Sequence, residues 1–380
     1  MNAMLVSSEA TELLSRLTRR KLNDADITPG MMFLSSLVTM TLGVMFADGT
    51  VTESETKLLT KTIEQLVPAK GDVPVLIQLL IDGIRENPIY KNPSELLKLT
   101  KSLSQAEKTL LLSFSYEMSA VDGEIAPSEN EYLKATANAL NIDPRYTATL
   151  ESWYDSRYIQ DTATWNELQN FINPRQFDYL GLRFVSLDVV SFLSHLADKK
   201  LTKGDINSVV VFLSSLLVIT WGVLVADGMQ QEEEQALLSR TIKRLIPKNN
   251  NDIRELMETL IDKMPQSDVY KSPKDWLKLT AFLSEPEKVL MMSFCYEMSA
   301  IDGEISYDEK KYLHNAVNHL GIQPKYAAVL ESGFGGDGIE DEISFRELQS
   351  LIHPDKFQDM DEVFVDAARY ILDTLEVLSF

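Results

Sequence analysis

The second half of this chain repeats the first, so whatever fold one half adopts the other must adopt too. Phe33-Leu34-Ser35-Ser36-Leu37 returns as Phe212-Leu213-Ser214-Ser215-Leu216. The pattern Tyr-Lys-x-Pro-x-x-x-Leu-Lys-Leu-Thr starts at Tyr90 and again at Tyr270. Ser113-Phe114 and Tyr116 to Ala120 return as Ser293-Phe294 and Tyr296 to Ala300. The flanks match as well: Lys21-Leu22 answers Lys200-Leu201, and Glu167-Leu168-Gln169 answers Glu347-Leu348-Gln349. Self-similarity at this length places two units at 1–179 and 180–380.

Each unit reads as helix throughout. Apolar residues recur at three- and four-residue steps, as in Leu58, Leu59, Ile63, Leu66 and in Leu76, Ile77, Leu80, Ile84. Alternating strand-like runs joined by hairpin turns are missing. Thr52 to Glu55, Ser104 to Glu107, Ser284 to Glu287 and Ser306 to Glu309 have the spacing of capping boxes, in which hydroxyl and carboxylate each satisfy an orphan amide. About seven helices per unit are expected. The fold class is therefore all-α, two tandem helical bundles, each with an internal pseudo-two-fold duplication of apolar helix, Asp-Gly turn and amphipathic helix. Tyr116, Tyr132, Tyr296 and Tyr312 occupy matching places and are expected to pack between helices.

That inner duplication rests on four turns. Asp48-Gly49, Asp122-Gly123, Asp227-Gly228 and Asp302-Gly303 each follow an apolar run, and a Glu stands seven residues after each Asp: Glu55, Glu129, Glu234 and Glu309. Two readings account for the pattern. In one, glycine supplies a left-handed turn, Asp bonds turn amides, and Glu caps the next helix. In the other, the spacing matches the second half of a calcium loop, where Asp, Gly, an apolar residue and Glu fill the later positions. Asp122, Gly123, Ile125 and Glu129 fit that series, and Asp302, Gly303, Ile305 and Glu309 do too. The first ligand positions would be Met118 and Ala120, which cannot bind a cation. A usable site must therefore pool carboxylates from both turns of a unit. The candidate metal ligands are Asp48, Glu55, Asp122 and Glu129, with Asp227, Glu234, Asp302 and Glu309 in the second unit. Such hard oxygen donors suit Ca2+ or Mg2+.

Composition limits the partners. There are 57 acidic and 36 basic side chains, a net charge of −21. Nucleic acid is excluded as a partner, because its binding needs clustered Lys and Arg. A single cysteine, Cys295, rules out an internal disulfide and points to a reducing, cytoplasmic compartment; it reads as a small core residue. Val209 to Ala226 is uncharged over a length close to a membrane span. Its partner run, Met31 to Ala47, ends in the same Ala-Asp-Gly, and neither has flanking basic or aromatic belts, so both read as buried central helices. Met1 to Leu22 is amphipathic with no apolar core and does not read as a signal peptide. Ser332 to Gly338 is glycine-rich and reads as a surface loop. It lacks the preceding strand of a phosphate loop. Four histidines and one cysteine offer no nucleophile–base or zinc spacing, so no enzyme activity is expected.

Ala-Asp-Gly-x5-Glu together with Asp-Gly-Glu-Ile-x3-Glu, each behind an apolar helix, resembles the TerB-like domain of bacterial tellurite-resistance proteins. The resemblance covers 28–145 and 207–325, which makes the chain similar to a tandem TerB-like protein. It implies an all-helical, internally duplicated fold linked to bacterial stress responses. It further implies a scaffold acting through an unidentified protein partner, soluble or peripheral to a membrane, and acidic residues of the turns as metal ligands. Met229 and Gln230 depart from the pattern in the third turn. His353-Pro354-Asp355-Lys356-Phe357 resembles the J-domain tripeptide with its lysine. The helix before it carries only Arg346, where a co-chaperone needs a basic face. Asn173-Pro174 and His353-Pro354 otherwise read as helix stops.

Overall fold

The computed structural model describes residues 7–378 apart from 24–25, 68–71, 157–158, 160, 181, 183, 227–231, 249, 302–303, 337 and 359. All regular structure among the described residues is helical. Two compact units are present: Met1–Leu187 with Thr202–Gly204, and Asp188–Leu201 with Asp205–Phe380.

The first unit contains α1 (Ser8–Thr18), α2 (Pro29–Met45), α3 (Glu53–Leu66), α4 (Val73–Glu86), α5 (Pro93–Thr100), α6 (Gln105–Ser119), α7 (Pro127–Ala139), α8 (Pro144–Ser156) and α9 (Thr162–Phe171). Among the described residues nine helices stand where about seven were expected, because short pieces such as the eight residues of α5 are too brief to show a full apolar period. α2 is the axis, and α4, α5, α6 and α7 pack around it. Every residue from Gly30 to Met45 is buried. Four of those residues carry hydroxyls, and each finds an acceptor inside its own helix. Ser35, Ser36, Thr39 and Thr41 donate to the carbonyls of Met31, Met32, Ser35 and Leu37 at 2.7–2.9 Å. Back-bonding of this kind lets a polar residue enter a core without a second partner. Phe33, Phe114 and Phe177 surround Phe184, with ring centroids at 5.2, 6.4 and 5.8 Å.

The second unit contains α10 (Leu187–Ala197), α11 (Ser208–Leu224), α12 (Glu232–Leu245), α13 (Asn251–Lys263), α14 (Pro273–Thr280), α15 (Glu285–Ser299), α16 (Tyr307–Leu320), α17 (Pro324–Phe334), α18 (Glu342–Leu351) and α19 (Glu362–Leu378). Here α11 is central, packed by α12 to α16. α2 and α11 each run for 17 residues. No described helix is long and apolar enough to cross a membrane.

Two glycines fix how closely the central helix is approached. A Cβ on Gly43 would lie 2.0 Å from the Tyr132 hydroxyl, and one on Gly222 would lie 2.0 Å from that of Tyr312. The tyrosines of α7 and α16 thus lie directly on the backbone of α2 and α11. Cys295 is wholly buried, with its sulfur 3.4 Å from the Thr220 hydroxyl. The glycine-rich stretch departs from its expected loop. Ser332, Gly333 and Phe334 form the last turn of α17, and Gly333 is buried because a Cβ there would meet Ile339 and Leu375 at 3.3 Å. The chain leaves the helix only at Gly335, and Asp337 lies outside the described residues.

Candidate functional site

α2 ends at Met45, and Gly49 then takes a φ of +84° that side chains with a Cβ rarely adopt. Asp48 closes the turn by accepting the Thr50 amide at 2.8 Å. α3 opens with a complete capping box: the Thr52 hydroxyl accepts the Glu55 amide at 3.1 Å, and the Glu55 carboxylate accepts the Thr52 amide at 2.7 Å. The second turn follows the same plan after α6. Gly123 has a φ of +112°, and the Glu129 carboxylate accepts the Ala126 amide at 2.8 Å. Ala126 has no side-chain oxygen to complete that box, and Pro127 starts α7 in its place. Among the other expected boxes, Ser104–Glu107 and Ser306–Glu309 form in full. At Ser284 the Glu287 carboxylate takes both the backbone amide and the hydroxyl.

The two turns of the first unit face each other. The Thr52 hydroxyl lies 3.4 Å from Asp122 Oδ1, linking one hairpin to the next. Burial pushes the Glu129 carboxyl up to about 7. The Ala126 amide opposes that rise, and the charges of Glu55, Asp48 and Asp122 add to it. Burial also raises Glu55, against the Thr52 bonds and with Asp122 and Asp48 contributing in the same direction. Asp48, Glu55, Asp122 and Glu129 are therefore held within electrostatic reach of one another at one end of the unit. Their donor chemistry fits a hard divalent cation. Their arrangement is less complete: among the described residues no three acidic, histidine or cysteine side chains are placed to share an ion. Glu55 and Glu129 each commit one oxygen to a helix cap.

In the second unit Glu309 is buried and capped with Ser306, and Ile305 is buried beside it. Asp227, Asp302 and the side chain of Glu234 lie outside the described residues. His353 accepts the Asp355 amide at 3.3 Å and so caps the 3-10 turn Pro354–Phe357 after α18. A groove of about 530 Å³ beside it is lined by Gln349, His353, Asp355, Arg369, Asp373 and Glu376, among others.

Sequence reasoning missed one charged cluster. Glu117 is the one charged residue between Thr109 and Ala120 on α6, and it is buried. A lone carboxylate on an apolar helix needs a partner, which was the available signal. That partner is Lys203, fully buried within the first unit. The Lys203 backbone amide donates to Glu117 Oε1 at 2.7 Å. Its ammonium donates to Glu117 Oε2 at 3.3 Å, Ser113 Oγ at 3.1 Å and Tyr154 Oη at 2.6 Å. The Phe114 ring centroid lies 4.6 Å from the same nitrogen. In the second unit the matching Glu297 instead accepts the Tyr370 hydroxyl, over whose ring Arg244 stacks at 3.9 Å. Burial raises the Glu297 carboxyl, with Tyr370 and Arg244 opposing.

Comparison with known families follows the acidic turns. Residues 34–151 match the family model of tellurite resistance protein TerB. The TerB segment begins inside α2, ends inside α8, and contains Asp48, Glu55, Asp122 and Glu129. The matched TerB segment lies wholly in the first unit. No curated protein and no solved structure matches the chain.

Proposed function

We propose that the chain is a non-enzymatic binding or scaffold protein of the bacterial tellurite-resistance and stress-response type, with a TerB-like unit in each half. Its ligand is a divalent cation, drawn to the end of the first unit by Asp48, Glu55, Asp122 and Glu129. The observation that carries this is the convergence of four carboxylates from two hairpins inside the TerB-matching segment. Folding them together costs electrostatic free energy that a cation would offset. Asp48 and Asp122, exposed at the turns, and the buried Glu55 and Glu129 would hold Ca2+, or Mg2+ retaining its waters. A bound cation would tie the two hairpins together and present a fixed surface to a protein partner.

A second reading has its own support. Glu55 and Glu129 serve their helix ends directly, so the turns can be structural caps in a metal-free interaction scaffold. Thermal unfolding separates the two. The full chain is heated in EDTA, then in millimolar calcium, magnesium or manganese. A cation binding only the folded state at a hundred times its dissociation constant adds about 2.7 kcal/mol. The cation reading expects a rise in midpoint with one of these ions, abolished by Asp122→Asn with Glu129→Gln. A curve that no ion moves sinks it and leaves the caps.

A further inference from the structure

The Lys203 cluster has the composition of a recognition site rather than of a chance ion pair. An ammonium carries three N–H donors, and each meets a different oxygen, on Glu117, Ser113 and Tyr154. The Phe114 face closes the remaining side at 4.6 Å, where a desolvated cation is attracted to the ring. Glu117 is used at both oxygens, one for the ammonium and one for the Lys203 backbone amide. A planar guanidinium spreads its donors in a fork and cannot direct them at three oxygens around one point.

The second unit is an internal control. Its equivalent positions are Ser293, Phe294, Glu297 and Phe334, so the hydroxyl of Tyr154 is missing. Ser293 donates to the Val289 carbonyl of its own helix at 2.9 Å, whereas Ser113 Oγ lies 3.2 Å from Tyr154 Oη and 3.1 Å from the Lys203 nitrogen. No lysine enters there among the described contacts, and Tyr370 meets Glu297 instead. The residue after Lys203 is equally confined: a Cβ on Gly204 would lie 2.9 Å from Leu58 and 3.2 Å from Lys61 on α3.

We propose that the first unit holds a binding site specific for a primary alkylammonium group, built from Ser113, Glu117, Tyr154 and the Phe114 ring and filled in cis by Lys203. Residues 202–204 are then a strap that completes this unit from outside its own repeat, fastened at Lys203 by charge and hydrogen bonding.

Chemical rescue in the full chain tests the proposal. Lys203→Ala removes the propylammonium portion of the side chain, so n-propylammonium chloride is the probe and n-propanol its neutral control. The expected result is a lowered midpoint for the first unit's unfolding, restored saturably by n-propylammonium and not by n-propanol. Rescue should vanish in Lys203→Ala with Glu117→Gln, and Lys203→Arg should fail to replace lysine. Equal effects of the amine and the alcohol, or no effect of either, overturn the proposal. Should Lys203→Ala not fold, Lys203→Met decides. It must be less stable than Lys203→Met combined with Glu117→Gln, because the single change leaves a buried carboxylate without its cation. A single variant as stable as the wild type, or no less stable than the double, overturns the proposal.

Discussion

Glu129→Gln should make the protein more stable at alkaline pH and change little at acid pH. Glu129 is buried, with 6% of the residue exposed. Its carboxyl ionises at about 7 in the folded protein against an ordinary value of 4.5. Its proton is therefore held more tightly by the folded state, by about 3 kcal/mol at roughly 1.4 kcal/mol per tenfold in acidity. The stabilisation is fully present below the unfolded value and is lost as pH rises through the folded one. Between about pH 5 and pH 8 the wild type should lose about 2.5 kcal/mol at this group. Glutamine keeps the oxygen that accepts the Ala126 amide but has no charge to set against Glu55, Asp48 and Asp122. Thermal or denaturant unfolding in EDTA measures both proteins across that range. At roughly 2–4 °C per kcal/mol for a unit of this size, the variant should exceed the wild type by about 5–10 °C at pH 8. Near pH 5 the two curves should approach each other. Wild-type and variant curves that run parallel would refute the reasoning, because the carboxyl would then ionise alike in folded and unfolded chains.

Two further outcomes follow from the packing. Gly43→Ala or Gly222→Ala should lower stability by roughly 1–3 kcal/mol through overpacking. Tyr132→Phe should relieve Gly43→Ala only in part, since a ring carbon also lies 2.3 Å from the new Cβ; differential scanning calorimetry reads both. Burial pushes the Cys295 thiol up to about 12. It should therefore resist thiol reagents in the native protein at neutral pH and react once the chain is unfolded, as a spectrophotometric thiol assay would show.

Local chemistry was legible in the sequence wherever neighbours in the chain supply it. The runs at Met31 and Val209 became the buried axes α2 and α11, because a helix apolar on every side has nowhere else to go. Thr52, Ser104 and Ser306 became N-caps with their glutamates three residues on. Gly49 and Gly123 took the left-handed turn. The meeting of two turns at Thr52 and Asp122, 70 residues apart, is a tertiary fact. Spacing could suggest that the carboxylates pool, but could not show how far each is committed to its own helix. Lys203 reaches Glu117 across 86 residues, and no periodicity carries information over that distance. Gly333 misled for a different reason. Its missing side chain makes room for Ile339 and Leu375, a packing role that composition reads as looseness.

The hydroxyls of α2 bear on the order of folding. Ser35, Ser36, Thr39 and Thr41 bond to carbonyls that stand three or four residues back, a geometry available only once the helix exists. A collapsed chain with this segment still unwound would trap four hydroxyls and their backbone groups away from water with nothing to bond to. Coiling of α2 and its enclosure by α4 to α7 must then proceed as one cooperative step. The axis of the bundle therefore gains its hydroxyl hydrogen bonds and its burial together.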